Sequence, residues 1–277
     1  MDIGIFSFST DYSMPFDQLA VAVEERGFES LWVPEHTHIP ASRETPFPFP
    51  GELPKEYSHT LDPFVALAIA AGVTRKIKLC TGICLAIEHQ ALTLAKTVAT
   101  LDLVSNGRVM LGLGAGWNRE EMENHGTPFE SRFRKLEEQM QALNEIWTQE
   151  EATFHGEFES FERVWSWPKP LQSPRPPLIL GGETEHTLRR VVKYADGWLP
   201  RIPSPEKLQD NITLLHRLAE EAGRDPKSIS VSVFAPPASA VAALRQTAAD
   251  RAVLWLPPDG AENSLALLDR YAGLLGA

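Results

Sequence analysis

Glu35-His36-Thr37-His38 follows the apolar run Leu31-Trp32-Val33 and is the densest titratable group beside any candidate strand. A histidine exchanges a proton near neutral pH. With a carboxylate at the same strand end it suits general acid–base or hydride-transfer chemistry. Two other readings share these residues. His36 and His38 form a His-x-His pair that could hold one metal ion, or the stretch is the solvated start of a loop. The metal reading lacks support elsewhere. Later strand ends offer Trp117 with glycines, or Gly181-Gly182, rather than a matching set of His and Asp. No metal ligand is assigned.

Two glycine-rich turns come next. In Gly112-Leu113-Gly114-Ala115-Gly116-Trp117 the third glycine of a dinucleotide fingerprint would fall at Trp117, and the Lys-Ser/Thr of a phosphate loop is missing. The run offers bare backbone beside which a flat ring could lie, and a tight turn would use the same residues. Gly181-Gly182-Glu183-Thr184 leads into a helical period, and N–H groups at a helix start suit a phosphate. Thr184 and Thr187 add hydroxyls. Glu183 and Glu185 count against an anion, although acids also favour a first helical turn. Gly82, inside Thr81-Gly82-Ile83-Cys84, marks a bulge or a close ligand approach on a strand.

The elements that must position these residues alternate along the chain. Strands are predicted at Ile3 to Phe8, Ser30 to Pro34, Ile77 to Ile83, Val109 to Leu111, Leu178 to Leu180, Gly197 to Leu199, Ile229 to Phe234 and Ala252 to Leu256. A helical period follows each. Examples are Phe16, Leu19, Ala20 and Val23; an Ala-rich run opened by Asp62-Pro63; and Leu136, Met140, Leu143 and Trp147. An Ala-rich helix is predicted from about residue 238. Continuous apolar strands between amphipathic helices imply a parallel sheet covered by helices. Eight units predict an α/β fold of the (β/α)8 TIM-barrel type over residues 1–277 as one domain, and a doubly wound open sheet is the rival. With two insertions set aside, each unit takes roughly 28 residues, against about 31 in a 250-residue barrel. The insertions are Thr37 to His59, after the second strand, and Glu151 to Pro176, after the fourth helix. The second holds a possible hairpin around Phe154 to Phe158. Both are expected on the side of the barrel where active sites form.

Composition bounds the partners. The 277 residues carry 26 Lys and Arg against 37 Asp and Glu, a net charge of −11. That argues against nucleic-acid or anionic-membrane binding and leaves a small-molecule substrate. The charge is uneven. Arg163, Lys169, Arg175, Arg189, Arg190, Lys193 and Arg201 face only Glu183, Glu185 and Asp196 between residues 163 and 201. An anionic cofactor would be best tolerated in that span. The apolar run Phe64 to Val73 is about half a membrane span. No apolar leader precedes Ile3-Gly4-Ile5-Phe6. Cys80 and Cys84 on one strand would lie roughly 13 Å apart, too far for a disulfide. A cytoplasmic protein with reduced, buried thiols is expected.

Taken in order, several stretches resemble the luciferase-like monooxygenase superfamily of flavin- and deazaflavin-dependent barrels. They are Gly27-Phe28-Glu29-Ser30-Leu31-Trp32-Val33-Pro34-Glu35-His36, Thr81-Gly82-Ile83, Ser105-Asn106-Gly107-Arg108-Val109 with the glycine run to Trp117, and Gly181-Gly182 followed by Ala195-Asp196-Gly197-Trp198. The Gly116-Trp117-Asn118 ending looks most like the coenzyme F420-dependent oxidoreductases. The resemblance implies a luciferase-like barrel and hydride transfer between F420 and a small organic substrate. The alternative is FMN-dependent monooxygenation with reduced flavin and oxygen. It implies a cis peptide at Gly82-Ile83 backing the ring, with Glu35 as a ring-side contact and His36 as the proton-exchanging residue. Gly114, Ala115, Gly116 and Trp117 would flank the ribityl chain, and Gly181, Gly182 and Thr184 would take the phosphate. It further implies a homodimer. The family's sugar-phosphate dehydrogenases carry a glutamate and a tryptophan where this chain has Trp117 and Pro40. That counts against sugar-phosphate oxidation and leaves a second proton donor unassigned. Two further classes remain: a metal-dependent hydrolase on His36 and His38, and a cofactor-free binding or light-emission accessory protein that keeps the fold.

Overall fold

A computed structural model describes residues 1–201 and 204–276; Ala277, the end of the expected domain, lies outside them. The strands are β1 (Asp2–Phe6), β2 (Ser30–Val33), β3 (Lys78–Thr81), β4 (Val109–Leu113), β5 (Ala152–His155), β6 (Ser160–Val164), β7 (Leu178–Gly181), β8 (Gly197–Leu199), β9 (Ser230–Phe234) and β10 (Arg251–Trp255). All except the β5–β6 hairpin close into one parallel barrel, in the ring order β1-β10-β9-β8-β7-β4-β3-β2. Closure is direct: Gly4 pairs with Ser30 of β2 and with Val253 of β10. An open doubly wound sheet would leave two strands at edges, whereas every barrel strand here is paired on both sides, so that rival is excluded.

The helices are α1 (Phe16–Glu25), α2 (Glu56–His59), α3 (Pro63–Val73), α4 (Ala91–Val104), α5 (Arg119–Asn124), α6 (Arg132–Thr148), α7 (Glu185–Tyr194), α8 (Pro205–Glu221), α9 (Val241–Leu244) and α10 (Ala261–Ala272). Local chemistry sets their starts. Asp62 accepts the Val65 N–H (2.9 Å) with Pro63 in the first turn of α3, and Ser204 accepts the Lys207 N–H ahead of α8. The Ala-rich helix expected near residue 238 is shorter than predicted, a 3₁₀ turn at Ala238–Ala240 and the single turn α9. Among the described residues no helix is long and apolar enough to cross a membrane.

Two apolar cores follow from the strand alternation. One set of strand residues packs outward on the helices, Ile3, Ile5, Leu31, Leu79 and Leu111 among them. The other fills the barrel with Phe6, Trp32, Cys80, Met110, Ile179, Leu199 and Val253. Half-buried Tyr57, Ile83, Phe234 and Trp255 cover this inner core. Both cysteines are buried and unbridged.

The expectation for the second insertion is corrected. It follows α6 and precedes β7, so it starts and ends at the N-terminal ends of the strands, opposite the face where barrel sites form. Its hairpin runs back along the outside of α6, where Glu138 accepts the N–H groups of Glu157, Phe158 and Glu159. Only the first insertion, between β2 and α3, serves the mouth.

Candidate active site

The first insertion closes over the C-terminal ends of β1, β2 and β4 by aromatic packing. Tyr57, on α2, lies with its ring 4.7 Å from that of Phe8, 5.2 Å from His36 and 5.2 Å from Phe47. Phe47 in turn meets Trp117 at 5.7 Å, and the Arg43 guanidinium sits 5.6 Å from the Trp117 ring. One carboxylate pins the loop. Glu120 of α5 accepts the N–H groups of Glu44 (2.8 Å) and Thr45 (3.0 Å). Burial pushes Glu120 up, but hydrogen bonding from the Thr45 side chain, together with these backbone bonds, outweighs it and brings it down to about 2.

His36 lies beneath this roof with its side chain 7% exposed, and its Nδ1 is 2.8 Å from Glu121 Oε2. Trp117 stands 6.2 Å away, ring to ring. A carboxylate that accepts the Nδ1 proton leaves Nε2 as the base-competent nitrogen. Glu121 was missed by sequence reasoning because α5 is short and carries no apolar period. The usable signal is Asn118 followed by acids, a helix start directly behind the glycine turn. Tyr57 was missed as well, within a proline-rich loop. Burial raises its hydroxyl to about 12, so it stays a proton-bearing donor at neutral pH.

Glu35 is 3% exposed, and both its oxygens are engaged by protein. The Leu85 N–H donates to Oε2 (2.6 Å) and His89 Nε2 lies 2.7 Å from Oε1. Burial raises Glu35, but the His89 and Leu85 bonds outweigh it and hold it below the ordinary carboxylate range. Burial lowers His89, and Glu35 outweighs that and raises it. Glu35 thus anchors the segment after β3. Its carboxylate, Cys84 and His89 bring their polar atoms within 4.8 Å of one another. With the carboxylate so committed and burial pushing the thiol up, they form a hydrogen-bonded cluster. The His36–His38 pair does not converge. His38 Nδ1 meets Thr37 Oγ1 and its Nε2 meets Asn124, whereas His36 turns to Glu121.

The glycine positions meet around one side chain. The Gly82-Ile83 peptide is cis. A β-carbon at Gly114 would fall 1.9 Å from Ile83 Cδ1, and one at Gly181 would fall 3.6 Å from Ile83 Cγ2. Ile83 therefore lies across β4 and β7 on a floor without side chains. Gly112 carries a tighter constraint, since its β-carbon would meet the Thr81 carbonyl oxygen at 2.0 Å. Ala115 is buried, and Gly116 turns the chain at φ +66° toward Trp117. Three strands round the ring from β2, Gly182 has φ +120° and Thr184 caps α7 by accepting the Thr187 N–H. Three strand spacings make an arc of roughly 14 Å, long enough for a ring at one end and a phosphate at the other.

The acids that weighed against a phosphate are occupied. Glu183 accepts the Arg201 N–H (2.8 Å) and Glu185 pairs with Arg189. Of the basic residues of 163–201, Arg201 lies beside the glycine turn through its N–H to Glu183, and others are paired elsewhere. Arg163 pairs with Glu151, Arg175 with Asp196 and Arg190 with Glu137. Two motif stretches prove structural. Arg108 is buried and donates to Thr74, Ile77 and Ser105 at the opposite end of the barrel. Trp198 donates its indole N–H to the Gly182 carbonyl (2.7 Å).

A flat cofactor with a phosphate tail fits this surface. Beyond the glycine floor, Ser9 after β1 and Asn118 after Trp117 are buried, and Ser9 Oγ and both amide atoms of Asn118 have no hydrogen-bond partner among the described residues. Buried polar atoms without partners are costly unless a ligand or water satisfies them.

The luciferase-like monooxygenase family matches residues 10–272, and the chain belongs to that family of oxidoreductases. An uncharacterized protein of Mycobacterium tuberculosis is 37% identical over 280 residues, 99% of each chain. Two solved structures cover 99% of this chain and 98% of their own. They are the monooxygenase RslO1 from Streptomyces bottropensis (TM-score 0.82, 21% identity) and an F420-dependent secondary alcohol dehydrogenase in complex with an F420-acetone adduct (TM-score 0.81, 18% identity). At these identities the likeness to the two structures is one of fold.

Proposed function

We propose that the chain, as one barrel domain, is an F420-dependent oxidoreductase that moves a hydride between coenzyme F420 and a small alcohol or carbonyl compound. The observation that carries this reading is the His36–Glu121 pair under an aromatic roof, beside Ile83 bedded on the bare backbone of Gly114 and Gly181. When bound, the deazaflavin supplies a two-electron hydride acceptor or donor. Gly82, Ile83, Gly114, Ala115, Gly116 and Trp117 would bed the ring and ribityl chain, and Gly181, Gly182 and Thr184 the phosphate. In alcohol oxidation His36 Nε2 takes the hydroxyl proton while Glu121 holds Nδ1–H, and in carbonyl reduction the same nitrogen returns it. Tyr57 supplies a second hydrogen-bond donor to the substrate oxygen. Phe47, Tyr57 and Trp117 keep water from the reacting carbon.

The second reading is an FMN-dependent monooxygenase using reduced flavin and oxygen. The dyad favours the first, because a hydride moved to or from a carbon–oxygen bond must be matched by a proton at that oxygen. Titration with F420 and FMN tests the choice. F420 binding tighter than about 100 μM, roughly −5.5 kcal/mol, is expected. FMN binding alone supports the second reading, and binding of neither overturns both.

The reading extends to assembly and location. Helix α3 buries Phe64, Leu67 and Ala70 yet exposes Val65, Ile69 and Val73, so it is apolar on both faces. An all-apolar helix needs cover on every side, and a second copy of this chain, in a homodimer, supplies it. The two buried free thiols suit the reducing cytoplasm.

A further inference from the structure

Besides the His36–Glu121 and His89–Glu35 pairs, the segments behind the mouth hold a third. Glu88 Oε2 lies 3.5 Å from His125 Nε2. The pairings interlace. Chain neighbours Glu35 and His36 face His89 and Glu121, while chain neighbours Glu88 and His89 face His125 and Glu35. Glu121 and His125 are four residues apart along α5 and its last turn, hence on one face. The three segments thus form a closed set of three glutamates and three histidines behind the reacting face.

The members differ in access. The Glu88 side chain is 1% exposed, and its Oε2 has no hydrogen-bond partner among the described residues. His125 is 26% exposed, and its Nε2 is 2.7 Å from Thr37 Oγ1, which also meets His38 Nδ1 at 2.9 Å. The His36 side chain is 7% exposed beneath Tyr57 and Trp117. With the substrate occupying the mouth at Nε2, a proton taken by His36 needs another exit.

We propose that Glu88 and His125 form the proton exit of the site, linking the His36–Glu121 pair to solvent beside Thr37 and His38. This rests on the proton-exchanging role of His36. The substrate proton arrives at His36 Nε2, and the Nδ1 proton passes to Glu121. Glu121 gives a proton to Glu88 as Glu88 gives its own to His125 Nε2. His125 then loses one to water. One proton enters, one leaves, no electrons move, and tautomer exchange from Nε2 to Nδ1 restores His36 before the next turnover.

The charges around Glu88 support the assignment. Glu35 faces it from the end of β2, Glu121 and His125 from α5 and its end, and Lys135 from α6, with His89 as its chain neighbour. Burial, then Glu121 and Glu35, raise Glu88 to about 9, against a smaller opposing effect of Lys135. Glu88 therefore carries a transferable proton at neutral pH. Burial and His38 lower His125, which keeps its ring neutral and able to accept one.

The test uses the whole protein without cofactor. Infrared spectra at neutral pH should show a protonated-carboxyl band that E88Q removes. In histidine-labelled protein, NMR should show the His36 ring proton exchanging with solvent at least tenfold more slowly in E88Q and in H125F. E88D, which keeps the carboxyl group, should exchange near the wild-type rate. Wild-type exchange in both E88Q and H125F overturns the proposal, as does a missing band. H125F alters a partly exposed residue, so the test survives if E88Q fails to fold. Loss of F420 and FMN binding with these exchange rates intact would refute the proposed function and leave the proton route standing.

Discussion

A residue can be read for what it would do to stability as well as to chemistry, and Glu88 shows both. In the unfolded chain a glutamate ionises near 4.5, whereas Glu88 keeps its proton to about 9 in the fold. Between those values the folded state binds the extra proton, so this group's contribution to stability falls as pH rises. E88Q cannot ionise. Its melting temperature relative to wild type should climb by several degrees between about pH 6 and pH 8.5, as followed by circular dichroism. A constant offset would show that Glu88 does not hold its proton. Glu121 acts on His36 instead. E121Q loses the anionic acceptor of Nδ1–H, so turnover should fall roughly 10- to 100-fold with KM nearly unchanged. In the proposed reaction, steady-state F420 reduction with an alcohol checks this, and a change confined to KM would place Glu121 in binding.

Elements matter here through their spacing. Strands β3 and β4 approach closely because Gly112 has no side chain, and the atom a β-carbon would strike is backbone. At Gly114 the obstacle is the tip of Ile83, which can rotate. G112A should therefore cost about 3 kcal/mol in denaturant unfolding. G114A should cost less in stability and more in cofactor affinity. The reverse order would mean that the floor under Ile83 is not the binding surface. The first insertion is held to α5 by Glu120 and its two amide bonds. E120A should speed tryptic cleavage at Arg43 several-fold, with little change in melting temperature. Unchanged cleavage would assign the hold to the aromatic contacts of Phe47 and Tyr57. Helix α5 was the least legible element in the sequence, because six residues rich in Glu carry no apolar period. The long helix α6 was the clearest, since Leu136, Met140, Leu143 and Trp147 all turn inward.

For the whole molecule the exposed stripe of α3 is the proposed dimer face, and it has a direct test. V65K with I69K puts two charges on the exposed face without touching the buried Phe64 and Leu67. The proposed dimer, followed by size-exclusion chromatography with light scattering, should become a folded monomer, and an unchanged mass would remove α3 from the interface. The barrel itself was legible from end to end, because eight apolar runs and the helical periods between them are local patterns that backbone geometry enforces. His36, Gly82 and the glycines at 112–116 stood out for the same reason, being strand ends with distinctive residues. Tertiary structure alone decided their company. Glu121 reaches His36 across 85 positions and Glu35 reaches His89 across 54, and closure of the ring brings Gly181 beside Ile83. It also sent the second insertion to the far face and engaged Arg163, Arg175, Arg189 and Arg190 in ion pairs. Periodicity is written in neighbours along the chain. Pairing between distant charges is set by which side chains the closed barrel buries together, where leaving either unpaired would be costly.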